Sequence, residues 1–167
     1  MAFGTSENSF VETPEALYVS QIKASLEKCV EKSDGAVLSG TDDLFTVAGG
    51  PVLAQIVGIV TTVLGGAANG TLQHTTTTPE GTVSLSTTVA IDSDAAGTSY
   101  RFVGATGVLT PVTAGAVIID PVTVGDCWFL LPIGTVKFLG SAARSGNIKW
   151  YIRYRPLSPD SLVTAAA

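Results

Sequence analysis

The sequence predicts a mainly β protein: an antiparallel β-sandwich, jelly roll or β-barrel of eight or nine strands, preceded by an extended arm and one α-helix. Three observations predict it. From Ala36 onward the apolar residues recur with a period of two, the spacing of a half-buried strand. Short runs rich in Val, Ile and Thr alternate with Gly, Pro, Asn and Asp clusters that mark turns, as in all-β domains. Finally, 46% of the 167 residues are apolar and only 14% charged, and the mean hydropathy is +0.41. A chain of that composition collapses rather than staying disordered, and its length suffices for one core.

Residues 1–13 are polar, with Phe3, Phe10 and Val11 as isolated apolar side chains, and read as an extended arm. Residues 14–35 read as an amphipathic helix. Thr13 can cap it, Pro14 suits its first position and Glu15 favours the positive end of the dipole. Val19, Ile22, Leu26 and Cys29 then follow at helical spacing, and Ser33-Asp34-Gly35 ends it.

Residues 36–157 form the β-domain. Its expected strands include Leu44–Val47, Val52–Leu64, Thr71–Thr77, Thr87–Asp92, Ser99–Val103, Ala116–Ile119, Cys127–Leu131, Thr135–Leu139 and Ile148–Arg155. Val52–Leu64 is apolar on both faces, which implies a central strand covered on both sides, within the fold or at a subunit interface. The last run alternates Ile148, Trp150, Ile152 and Tyr154 with Lys149, Tyr151, Arg153 and Arg155. One face therefore belongs to the core, and the other presents a cationic stripe with one aromatic, suited to an acidic partner. Residues 158–167 read as a tail.

The charge is unevenly laid out. The net charge is −5; residues 36–136 carry seven acids and only Arg101, whereas residues 137–167 carry five bases and only Asp160. An acidic body lacks the clustered bases of a non-specific nucleic-acid binder, so no nucleic-acid partner is expected. The start of the sequence shows neither the basic nor the apolar region of a signal peptide. The charge-free stretch from Leu44 to Pro79 is broken by Pro51 and Gly65-Gly66 and is rich in β-branched residues, so no membrane span is expected.

The search for chemistry ends on bland readings. His74 is the only histidine and reads as a satisfied histidine at a strand end; no Gly-x-Ser-x-Gly elbow accompanies it. Cys29 and Cys127 read as small buried apolar residues, with a disulfide between them as the alternative. Asp92-Ser93-Asp94 opens like a calcium loop, but Ala96 stands where the next ligand belongs, so a turn held by Asp side chains is the better reading. Asp42-Asp43, Asp120 and Asp126 fall at turns, and the glycine-rich loop Gly65–Gly70 lacks the Lys of a phosphate loop. No catalytic residue, metal or cofactor is expected.

The arm, the helix and the Thr/Gly/Val-rich β-domain, with the runs Gly49-Gly50-Pro51-Val52 to Thr61 and Gly146-Asn147-Ile148-Lys149-Trp150 to Leu157, resemble the small β-rich virion proteins of tailed bacteriophages. Capsid decoration, or cement, proteins are the most similar of these. The resemblance implies a non-enzymatic structural protein, commonly trimeric, made in the host cytoplasm. Its place would be the outer capsid surface, where it bridges major capsid proteins. The interface residues expected on that reading are Phe3, Phe10, Val19, Ile22 and Leu26 of the arm and helix, and Lys149, Tyr151, Arg153 and Arg155 of the C-terminal strand. The other reading is a head-fibre or receptor- or carbohydrate-binding module using Tyr100, Trp128 and Tyr151.

Overall fold

The computed structural model describes residues 27–37, 40–103, 108–112 and 128–167. Among them the chain is entirely β, with twelve strands: β1 (Lys28–Val37), β2 (Gly40–Ala48), β3 (Val52–Thr62), β4 (Asn69–Thr77), β5 (Glu80–Ser84), β6 (Val89–Ala90), β7 (Ser99–Val103), β8 (Val108–Val112), β9 (Phe129–Leu131), β10 (Gly134–Gly140), β11 (Arg144–Pro156) and β12 (Leu162–Ala165). They form two six-stranded sheets in which every pairing is antiparallel.

Sheet A runs β1-β11-β3-β7-β8, with β9 pairing the β3 edge beside β7. Sheet B runs β12-β2-β10-β4-β5, with β6 sharing the β4 edge with β5. The strand that is apolar on both faces and the longest alternating run occupy central places: β3 and β11 pair over most of their lengths in sheet A. Val52, Ala54, Ile56 and Val60 of β3 and Ile148, Trp150, Ile152 and Tyr154 of β11 are all buried. Sheet B answers with Phe45, Val47, Leu72, Val136 and Phe138, all in the same core. Phe138 meets Trp150 across the interior, ring centroids 5.2 Å apart.

Two glycines make room for these rings. A Cβ on Gly58 would lie 2.7 Å from the Trp150 ring on the neighbouring strand, and one on Gly70 would come within 2.3 Å of Phe138. In β2, Leu44 and Phe45 are both buried although consecutive. A register shift against β10 leaves Leu44 as the extra residue of a bulge, so the strand sends two neighbouring side chains inward.

Several expectations are corrected here. The last third of the expected helix, from Lys28 to Gly35, is strand β1, while residues 14–26 lie outside the described residues. Cys29 and Val30 suit a helical stripe and a strand equally well. Pairing with β11 decides between them, because Val30 opposite Ile152 joins the edge of the core while Glu31 opposite Tyr151 faces outward. The tail contains β12, which closes the edge of β2. Pro111 lies in β8, an edge strand among the described residues, where a missing N–H is tolerated. β4 begins at Asn69, inside the end of the expected glycine-rich loop Gly65–Gly70. The arm and the expected strand Ala116–Ile119 lie outside the described residues.

On one side the two layers are tied together. Lys32 of β1 donates from Nζ to the Ala166 carbonyl beyond β12, 2.7 Å away. Asp42 of β2 lies opposite Phe138 on the inner face; burial raises its pKa, and the Lys32 charge acts against that rise.

Candidate functional site

Two solvent-facing surfaces and the buried His74 are the candidates. The first surface is the outer face of sheet A, where the register places Tyr151, Arg153 and Arg155 between Glu31 and Cys29 of β1 and Val57, Gln55 and Leu53 of β3. This face holds all four expected residues of the C-terminal strand, but their charges are answered within the chain. Lys149 pairs with Glu31 at 2.6 Å, and Arg153 Nε with Glu27 at 2.9 Å. Arg155 Nε donates to the same Glu27 carboxylate at 2.9 Å. Both guanidinium groups also lie over the Trp128 ring, 5.4 and 4.9 Å from its centroid. The stripe is therefore an ion-paired platform stacked on an indole. Exposed pairs of this kind contribute little to stability and are screened by salt.

The three aromatics expected for a glycan site do not share one face. Tyr100 is a core residue, 1% exposed, whose hydroxyl donates to Asp94. Burial and that carboxylate raise its pKa strongly. Trp128 has two guanidinium groups over its ring, and Tyr151 is half-buried beside Lys149.

The second surface is the outer face of sheet B. Its register brings Thr164, Thr46, Thr135, Thr75 and Thr82, one from each of β12, β2, β10, β4 and β5, into a single row across the sheet. Strands about 4.8 Å apart make such a row roughly 19 Å long. The inward neighbours Phe45, Val47, Val136, His74 and Val163 are buried, so these threonines point outward by the alternation of the strand. Thr75 and Thr82 bond through their hydroxyls at 3.0 Å.

One step toward the β2–β3 turn the face becomes apolar. Leu162 lies opposite Ala48, and Ile133, just before β10, accepts through its carbonyl from the Thr77 amide. Leu162 is 47% exposed and Ile133 43%. One step the other way, Asp43, Lys137, Gln73 and Ser84 form a polar row, with Lys137 and Asp43 paired at 3.4 Å. Threonine offers a methyl and a hydroxyl together, and β-branched residues favour strands; the outcome is a broad, nearly uncharged face with an apolar margin.

The candidate chemistry residues do not converge. His74 faces the interior from β4, 3% exposed, with no hydrogen-bond partner for either ring nitrogen. Burial lowers its pKa, and the nearby Pro132 and Thr135 carbonyls oppose that fall without bonding geometry. The expectation of a satisfied histidine at a strand end is thus corrected: the residue is inside and unsatisfied. Asp42 and Asp43 point to opposite faces, one toward Lys32 and the other onto Lys137. Asp92 accepts the Ala68 amide at 2.7 Å, and Asp94 accepts from the Tyr100 hydroxyl; the expected hold on their own turn is thus corrected to a link with the start of β4 and one with the core. No group of three or more His, Cys, Asp or Glu gathers among the described residues. Cys29 is exposed and free rather than buried, because β1 turns it to the outer face opposite Arg153. Cys127, Asp120, Asp126, Phe3, Phe10, Val19, Ile22 and Leu26 lie outside the described residues.

The threonine row was hidden from sequence reasoning. The run Thr75-Thr76-Thr77-Thr78 is visible, but the other members sit on four different strands, and only the pairing register aligns them. No family model matches this chain, and no curated protein or solved structure matches it either. No helix among the described residues is long and apolar enough to cross a membrane.

Proposed function

We propose that this chain is a structural protein of a virus particle, a β-sandwich that lies on the outer capsid surface and bridges major capsid proteins through the outer face of sheet B. One observation carries the reading: a five-strand row of outward threonines bordered by exposed Leu162 and Ile133. An interface core is poor in charged residues, and solvent-exposed sheets usually are not. The resemblance of the sequence to phage decoration proteins supplies the partner, and the layout of this face supports a role in adhesion.

The sheet A face is the weaker candidate, since its Arg and Lys residues are engaged by Glu27, Glu31 and Trp128. Docking through sheet B is accordingly expected to depend little on salt.

The test is co-sedimentation of the protein with capsids of the phage that encodes it. Leu162 and Ile133 are each about half exposed, so covering them contributes about 1 kcal/mol apiece, or about 30-fold in affinity together. The variant carrying Leu162→Asp and Ile133→Asp should lose at least that much binding while keeping its fold. Binding equal to wild type by that variant would refute the reading.

A further inference from the structure

Among the described edges, one stands out for what it lacks. Proteins guard exposed strand edges with charges, prolines, bulges or shortness, because unpaired N–H and C=O groups recruit further strands. β1 carries Lys28, Glu31 and Lys32, is bulged, and is tied to the β12 side by Lys32. β8 contains Pro111. β6, β9 and β12 have two, three and four residues. β5 has none of these protections beyond Glu80 at its end. It pairs with β4 in unbroken register, all five of its residues are exposed, and Val83 is 61% exposed.

The β5 sequence is also self-complementary. Two copies of Glu80-Gly81-Thr82-Val83-Ser84 set antiparallel about Thr82 place Thr82 on Thr82, Gly81 on Val83 and Glu80 on Ser84. No like charges face one another, and a threonine pair is a favourable cross-strand match. The same register carries the threonine row of sheet B, already bonded from Thr75 to Thr82, straight into the second copy. We propose that β5 is a homotypic assembly edge, pairing with β5 of a second copy about a two-fold axis so that the two B sheets become one continuous sheet. This interface is isologous and closes at two copies. It does not depend on the capsid-binding reading, because it is expected of the protein alone.

The experiment is sedimentation equilibrium on the full chain without capsids. The wild type should be a reversible dimer. Thr82→Lys and Thr82→Glu each set like charges face to face at the axis and should weaken dimerisation about tenfold or more. An equimolar mixture of the two variants should restore it, a recovery that a misfolded variant would not give. A wild type that is monomeric or trimeric at high protein concentration, a dimer indifferent to Thr82→Lys, or a mixture without recovery would each overturn the proposal. Capsid binding by a monomeric wild type would sink this edge and leave the sheet B reading standing.

Discussion

Replacing His74 with leucine should make the protein less sensitive to mild acid. The imidazole lies 3% exposed on the inner face of sheet B, between Val136 and Val83 in register, with both ring nitrogens unbonded. Burial lowers its folded-state pKa below the unfolded value of 6.5. Below pH 6.5 the unfolded chain therefore binds a proton that the folded chain refuses. Stability is fully present above 6.5 and is lost as the pH falls from there toward the folded pKa, by at most about 1.4 kcal/mol per pH unit. His74→Leu removes this loss. Near pH 7.5 it also removes unpaired buried polar atoms, an effect of about 1–2 kcal/mol, so the variant should be as stable as wild type or more so. Asp42, raised by burial from 3.8, has the opposite sign, with stability lost as pH rises through its window. It is common to both proteins and cancels in their difference. Urea unfolding from pH 5 to 8 reads that difference directly. Parallel pH profiles for the two proteins, or a large loss of stability in the variant at pH 7.5, would refute the reasoning.

The fold offers further checks. Gly58→Ala drives a methyl into the Trp150 ring and should cost about 1–3 kcal/mol, read as a lower thermal midpoint; an unchanged midpoint would mean the ring is not seated there. Lys32→Met removes the bond to the Ala166 carbonyl and should cost about 1 kcal/mol. It should also raise the pKa of Asp42 further, since the Lys32 charge now lowers it; a carboxyl shift followed by NMR checks the direction.

Sequence and structure agree where one physical signal dominates. In β11 the period-two pattern runs for eight residues, and it is a central strand with the expected residues inside; β3, expected to be central and covered on both faces, is central, with one face buried and the other half-buried over most of its length. Trp150 is in the core as expected. The Ser99–Val103 strand matches β7 end to end. The disagreements fall where local signals are ambiguous or the deciding partner is remote. Lys28–Gly35 reads as helix until Ile152 and Tyr151, far along the chain, supply its strand partners. β5 is absent from the expected strands because Glu80-Gly81-Thr82-Val83-Ser84 has little apolar alternation of its own and is a strand through its pairing with β4. The tail contains β12 because the open edge of β2 receives it.

The candidate surfaces divide in the same way. The alternation of Lys149, Tyr151, Arg153 and Arg155 on one face is legible residue by residue. Their pairing is not, because Glu27, Glu31 and Trp128 reach them only through the register of β1 and the placement of Trp128 against the sheet. The threonine row is a property of pairing alone.

A hydrogen–deuterium exchange footprint of the intact protein bound to capsids tests docking through sheet B. New protection is expected at Ala48, Ile133, Thr135 and Leu162, on the outer face of sheet B. Protection confined to β1 and β11 of sheet A, or none at all, would contradict it.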